Sequence, residues 1–111
     1  MNNQPSDWLP FPDPRAGGIL HAPYGPGVYQ IRNRQTGQLI LFGSSKRLAW
    51  RMCSLLPEPL GCGGRDNNDK RNYVLEHLAD LDYRCWTCES EDAAKSKERE
   101  LKRAETYLFT T

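Results

Sequence analysis

Residues 27–43 read GVYQIRNRQTGQLILFG, and this stretch decides the fold of the chain. Two β-rich segments, 28–32 and 38–42, flank the sequence Arg34-Gln35-Thr36-Gly37. Glycine at the end of that sequence supplies the positive φ that a tight connection often needs. The stretch therefore predicts a β-hairpin.

Further elements are expected on the C-terminal side of the hairpin. They are a helix capped by Ser44 or Ser45 that runs to about Leu56, a helix over about 69–80, a strand over 82–88 and a last helix capped by Ser90. The order is β-β-α-α-β-α, which predicts an α+β fold with a small antiparallel three-stranded sheet flanked by helices.

The N-terminal region has a different composition, because residues 1–26 carry six of the eight prolines. Proline fixes φ and removes a backbone donor, so residues 1–21 are expected to form an extended leader and 22–111 a single domain. The chain has neither an apolar run long enough for a bilayer nor a secretory signal pattern. These features predict a cytoplasmic protein without a membrane partner.

Charge is distributed unevenly along the chain. No acidic residue lies between Asp13 and Glu58, although six basic residues do. From Glu58 onward there are twelve acidic residues against nine basic ones. This asymmetry fits a face that attracts phosphate, and it equally fits a chance distribution over solvated helix surfaces.

The last helix is expected to carry a carboxylate on its apolar face. At helical spacing Ala94, Leu101 and Leu108 form a stripe, with Glu105 in its middle and Glu98 at its edge. An isolated buried charge is costly, so Glu105 is expected to pair with an arginine such as Arg51 or Arg84, to face a cleft or to bind a metal. At the edge, the side chain of Glu98 is expected to reach water.

The cysteines predict thiols and not a zinc site. Cys85-Trp86-Thr87-Cys88 has metal-ligand spacing, but it falls in a predicted strand, where residues three apart point to opposite faces. Cys53 and Cys62 are widely spaced for a zinc knuckle. No zinc is therefore expected, and the cysteines are interpreted as buried free thiols.

Gly27-Val28-Tyr29, Leu41-Phe42-Gly43 and an arginine eight residues later, Arg51, together resemble the signature of the GIY-YIG nuclease superfamily. In that family a strand with Gly-Ile/Val-Tyr forms a hairpin with a strand ending in Tyr-Ile/Val-Gly, and a helix with the arginine follows. A terminal helix carries a metal-binding glutamate, two variable residues and a bulky apolar pair. Glu105-Thr106-Tyr107-Leu108-Phe109 resembles that ending, and the likeness covers roughly residues 22–111.

The resemblance implies metal-dependent hydrolysis of phosphodiester bonds in DNA. Tyr29 would help to activate water, Arg51 would stabilise charge on the phosphate, and Glu105 would hold Mg²⁺ or Mn²⁺. DNA is the expected partner, RNA stays an alternative, and a protein partner could supply specificity. The side chains expected to contact nucleic acid are Arg32, Arg34, Ser44, Lys46, Arg47, Arg65, Lys70 and Arg71.

Two positions depart from the family pattern. Leu41 replaces the second signature tyrosine, and Leu55 stands where the family often has His or Tyr. Leucine cannot donate, accept or move a proton, so activity is expected to be reduced or altered. The alternatives are a catalytically weakened nucleic-acid-binding module and a protein-interaction domain that keeps only the fold, with an exposed apolar patch around Trp8, Phe11 and Trp50.

Overall fold

The structure, a computed structural model, describes residues 5–13, 19–53 and 68–109, with the backbone alone for 68–71. Its strands are β1 (Leu9–Pro10), β2 (Gly27–Asn33), β3 (Leu39–Ser45) and β4 (Leu81–Thr87), and its helices are α1 (Leu48–Met52), α2 (Asn68–Glu76) and α3 (Glu91–Ala104). The strands form one antiparallel sheet in the order β1-β4-β2-β3. No helix in the described ranges combines the length and apolar composition that crossing a bilayer requires. The predicted α+β class is confirmed.

The predicted hairpin is present as β2 and β3. Tyr29 lies opposite Gly43 and Val28 opposite Ser44, so each pair shares a face of the sheet. Gly37 has a φ of 76°, the left-handed conformation that glycine adopts without steric cost. The hairpin therefore follows from turn chemistry together with the alternation of its strands.

The sheet has four strands where three were predicted, because the N-terminal segment adds β1. Leu9 lies opposite Tyr83 on β4, and Pro10 lies opposite Asp82. Proline is tolerated here because β1 is an edge strand. Phe11 is 4% exposed and packs edge-on against Tyr83. Part of the predicted leader therefore belongs to the sheet and the core.

Helices cover both faces of the sheet. On one face Tyr29 and Ile31 of β2 belong to a core that also contains residues of α1 and α2. On the other face Val28 packs with side chains of β4 and α3. The first core comprises Phe11, Tyr29, Ile31, Ile40, Leu41, Leu48, Met52, Val74, Leu78, Leu81, Tyr83 and Cys85, and the second comprises Val28, Trp86, Ala94 and Leu101.

Two of the predicted helix boundaries need correction. Ser44 and Ser45 belong to β3, and the N-cap position of α1 is Arg47, which makes no side-chain cap bond. The predicted end of this helix at Leu56 lies outside the described residues. The second predicted helix ends at Glu76 and is followed by a 3-10 turn, Leu78–Asp80, so it is shorter than expected.

The last helix begins as predicted and ends earlier. Ser90 Oγ accepts a hydrogen bond from the Ala93 N–H at 3.1 Å, which confirms the cap. After Ala104 the chain leaves the helix, and the N–H groups of residues 108–109 donate to the carbonyls of residues 39–40 on β3. This segment therefore covers the first part of β3.

Candidate active site

The ring of Tyr29 lies against Gly43 on the neighbouring strand. A Cβ atom at position 43 would stand 2.7 Å from Tyr29 Cε1 and 2.9 Å from the phenolic oxygen. Real Cβ atoms essentially never approach other heavy atoms so closely. Because β3 is at the end of the strand order, the glycine lets the Tyr29 hydroxyl extend toward that edge of the sheet.

Glu98 reaches the same edge from the opposite face. Ser44, the residue after Gly43, faces α3 because successive side chains of a strand alternate. Its hydroxyl donates to Oε1 of Glu98 on α3 at 3.0 Å. This bond holds the half-buried carboxylate in one orientation beside β3.

Arg51 lies on α1, and its charge acts on the Tyr29 phenol. Burial raises the pKa of Tyr29 to about 12, the positive charge of Arg51 opposes that rise, and the charge of Glu98 adds to it. The arginine and the glutamate are thus both near enough to act on the phenol. We call Tyr29, Gly43, Ser44, Arg51 and Glu98 the β3-edge site.

The raised pKa of Tyr29 predicts a loss of stability at alkaline pH. Folding moves this pKa from 10.0 to about 12, so the folded state holds the proton more tightly than the unfolded state. The protonated phenol therefore contributes at most about 3 kcal/mol to the free energy of unfolding. This contribution is complete below pH 10 and is lost as pH rises through about 12. In urea unfolding at several pH values, Tyr29→Phe should lose less stability over this interval than the wild type; equal losses would contradict the assignment.

Glu105 does not lie where the sequence placed it. It is the residue after the last turn of α3, and its side chain is exposed. Desolvation and the charge of Arg32 lower the pKa of Arg84. The negative charge of Glu105 opposes this lowering. The prediction that Glu105 occupies the middle of an apolar helical face is therefore wrong.

Glu98 is a candidate functional residue that the sequence analysis does not identify. Its side chain was expected to extend into water from the edge of the apolar stripe. Ala94 and Leu101 are 0% and 7% exposed, and Glu98 lies four residues after the first and three before the second. Residues at this spacing share a helix face. Glu98 therefore shares the buried face of α3 once the stripe is limited to residues 91–104, a limit that the structure supplies.

The residues of the β3-edge site fit a hard divalent cation. Mg²⁺ is commonly bound through one or two carboxylates together with waters and substrate phosphates. The carboxylate of Glu98 has lone pairs beyond the one that accepts from Ser44. The described residues contain no group of three or more His, Cys, Asp or Glu side chains that could hold a metal. A cation bound at Glu98 would therefore need further ligands from water or a bound phosphate.

The side chains predicted to contact nucleic acid divide into two groups. Lys46 and Arg47 are exposed and lie between β3 and α1, beside the site. Arg32 and Arg34 instead form ion pairs with Asp82, at 3.2 and 3.0 Å, so the fold itself uses their charges. Arg65 and the side chains of Lys70 and Arg71 lie outside the described residues.

The predicted apolar patch of three aromatic residues does not form. Phe11 is in the core, and the Trp8 ring lies 4.2 and 4.4 Å from the guanidinium carbons of Arg32 and Arg84. Trp50, by contrast, is 71% exposed. The prediction of one apolar patch shared by Trp8, Phe11 and Trp50 is therefore wrong. The exposed indole of Trp50 lies on α1.

Leu41 is part of the packed core. It is 0% exposed and lies opposite Ile31 on the face that carries Tyr29. The position of the second signature tyrosine is therefore filled by an apolar side chain. Leu55 lies outside the described residues.

The cysteines are arranged as the alternation of a strand predicts. Cys85 belongs to the core that contains Tyr29, whereas Cys88 packs against the core on the α3 face. Cys53, Cys85 and Cys88 are free thiols, and burial raises the pKa of Cys85 to about 12. A thiol with so high a pKa is a poor nucleophile. Cys62 lies outside the described residues.

Comparison of the chain with family models, curated proteins and solved structures finds no match. Any inference about function therefore rests on the side chains themselves. The strongest observation is that the charges of Arg51 and Glu98 both act on the Tyr29 phenol, while Ser44 binds the Glu98 carboxylate.

Proposed function

We propose that this domain hydrolyses phosphodiester bonds in DNA, in the manner of a GIY-YIG-type endonuclease that acts in the cytoplasm. The observation that carries the proposal is the β3-edge site, where the charges of Arg51 and Glu98 both act on the Tyr29 phenol and Ser44 binds the Glu98 carboxylate. These are the chemical groups that the resemblance requires, with Glu98 in the role first given to Glu105. The spacing of Gly27-Val28-Tyr29 and Arg51 supports the same assignment.

Each group has a separate task in the proposed reaction. Arg51 binds the phosphate and stabilises the charge that develops on its oxygens, for which a guanidinium fork is well suited. Ser44 fixes the orientation of Glu98. Glu98 would hold Mg²⁺ or Mn²⁺, which when bound would neutralise negative charge on the phosphate.

Tyr29 acts in this proposal as a neutral hydrogen-bonding group. With a pKa of about 12 it is protonated at neutral pH and is not itself a base. A phenol can accept one hydrogen bond while it donates another, so Tyr29 can orient a water molecule against the phosphorus. The sequence analysis expects Tyr29 to help activate water. In the proposed reaction its role is to position that water molecule.

A second candidate function is binding of nucleic acid with little or no cleavage. The specific observation in its favour is Leu41, which lies in the core where the family pattern has a second phenol. Loss of one hydrogen-bonding group from a preorganised site can reduce a rate by about 10²- to 10³-fold. The remaining basic surface near Lys46 and Arg47 would still attract phosphate.

Nicking of supercoiled plasmid tests the proposal directly. We expect the purified protein to nick plasmid in Mg²⁺ or Mn²⁺ and to leave it intact in EDTA. The variant Arg51→Ala, purified in the same way, should be slower by about 10²- to 10³-fold because the phosphate loses its charged partner. Arg103→Gln is the matched control, since it removes an exposed cation from the last turn of α3 and should cleave normally.

The two candidate functions give different results in that experiment. Metal-dependent nicking that is lost in Arg51→Ala supports the nuclease. Intact plasmid, combined with DNA affinity that falls steeply with salt, supports the binding module because neutralisation of phosphates releases counterions. Cleavage at the same rate by Arg51→Ala and wild type would remove Arg51 from the mechanism.

A further inference from the structure

Trp50 is placed for contact with a ligand. Leu48 and Met52 hold α1 against the core, both at 0% exposure, while Trp50 of the same helix is 71% exposed. The guanidinium carbon of Arg47 lies 5.1 Å from the centre of the indole ring. This cation–π contact covers one face of the ring, and the exposure leaves the other face open. Trp50 therefore presents an exposed aromatic ring on a helix that is packed against the core.

The sequence on both sides of Trp50 is basic. Lys46, Arg47 and Arg51 flank it in the sequence, and no acidic residue lies between Asp13 and Glu58. Arg47, the N-cap position of α1, lies over the Trp50 ring, and its carbonyl accepts a hydrogen bond from the N–H of Arg51 at 3.1 Å. A ligand with a planar aromatic group joined to a phosphate complements this surface more closely than an apolar protein segment does.

A second exposed aromatic residue borders the same helix. Tyr24 is 90% exposed and lies between Pro23 and Gly25. The carbonyls of these two neighbours accept hydrogen bonds from the N–H groups at positions 48–49 of α1, at 3.1 and 2.8 Å. The segment that carries Tyr24 is therefore fixed to the start of α1, close to Trp50 in the fold.

We propose that Trp50, backed by Arg47, stacks an unpaired nucleobase next to the phosphate that Arg51 holds. Inside a duplex both faces of a base are covered by its neighbours, so a side chain can stack only on a base that is unpaired or flipped out. The substrate class of the β3-edge site is then DNA with unpaired nucleotides, such as single strands and flaps. This inference rests on the proposed function for cleavage, although stacking itself does not need cleavage.

Binding measured without divalent metal separates stacking from catalysis. In EDTA, fluorescence anisotropy with a labelled single-stranded oligonucleotide and with its blunt duplex should show tighter binding of the single strand. Trp50→Ala should weaken single-strand binding by roughly 5- to 150-fold and change duplex binding little, while Trp50→Phe should retain most of the affinity. Ile19→Ala is the matched control, because Ile19 is 70% exposed, and it should bind as the wild type does.

The possible results distinguish this inference from the proposed function. Equal single-strand affinity of Trp50→Ala and wild type, with both proteins folded by circular dichroism, overturns base stacking; plasmid nicking in the same preparation would leave the nuclease standing. Trp50-dependent single-strand binding, with no metal-dependent cleavage of a single-stranded or flap oligonucleotide, supports stacking and removes catalysis. A wild type that binds the duplex as tightly as the single strand also overturns the proposed substrate class.

Discussion

Replacement of Glu98 by glutamine is expected to reduce metal-dependent cleavage by about 10²- to 10³-fold or more. The substitution keeps the size of the side chain and an oxygen that can accept from Ser44, so the fold should be preserved. It removes the negative charge, which a hard cation prefers in its ligands. Cleavage rates of an oligonucleotide in Mg²⁺ and Mn²⁺, with Mn²⁺ affinity by calorimetry, measure both effects.

Glu105→Gln is the matched control for that experiment. Glu105 is a glutamate near the end of the same helix, but it is exposed and its charge acts on Arg84. Its amide variant should bind Mn²⁺ and cleave as the wild type does. The reverse pattern, with activity lost in Glu105→Gln and kept in Glu98→Gln, would show that the residue at the helix end is the metal ligand.

The two glutamates also show where sequence reasoning reached its limit. The expected stripe continues from Ala94 and Leu101 through about two further turns to Leu108, but α3 ends at Ala104. Helical spacing cannot reveal this end, because the cause is contact with a distant strand. Tyr107 is 6% exposed and packs against Phe42 on β3, with ring centres 4.4 Å apart.

Backbone pairing reinforces this departure from the helix. The N–H groups of Leu108 and Phe109 donate to carbonyls of β3, and residues 107–109 alternate buried, exposed and partly buried. That period of two is typical of extended chain. The segment was short enough to fit a helical pattern as well, so only the tertiary contacts decide between the two structures.

The hairpin is predictable from the sequence and the N-terminal strand is not. The difference lies in how far apart along the chain the pairing residues are. The hairpin was predictable because its turn glycine and its strands are local features, and Gly37 has the expected positive φ. Strand β1 was not predictable, because Leu9–Pro10 is two residues long and contains a proline. Its pairing depends on β4, which lies about 70 residues later in the chain.

Ser44 does not cap a helix, contrary to one of the expectations for this residue. Its place after the hairpin suggests a cap, whereas β3 continues through it to Ser45. Alternation along β3 then turns Ser44 toward α3 and Gly43 toward Tyr29. The site therefore depends on the exact length of the strand, which sequence patterns locate only approximately.

Replacement of Gly43 by alanine is expected to reduce cleavage by about 10²-fold, because the Tyr29 ring must move. The new Cβ would stand 2.7 Å from Cε1 and 2.9 Å from the phenolic oxygen. Tyr29 is only 7% exposed, so its ring cannot shift without disturbing the core. Overpacking of this kind costs about 1–3 kcal/mol of unfolding free energy, which urea denaturation measures beside the cleavage rate.

Gly25→Ala is the matched control for Gly43→Ala, because a Cβ at position 25 meets nothing within 4 Å. The effect of Gly43→Ala should also depend on the phenol: in a Tyr29→Phe background it should add little further loss of rate, since the hydroxyl is already absent. A folded Gly43→Ala protein that cleaves at the wild-type rate would mean that the position of the Tyr29 hydroxyl does not matter. Additive losses in the double variant would assign the role of Gly43 to something other than Tyr29, such as the approach of the DNA backbone to β3.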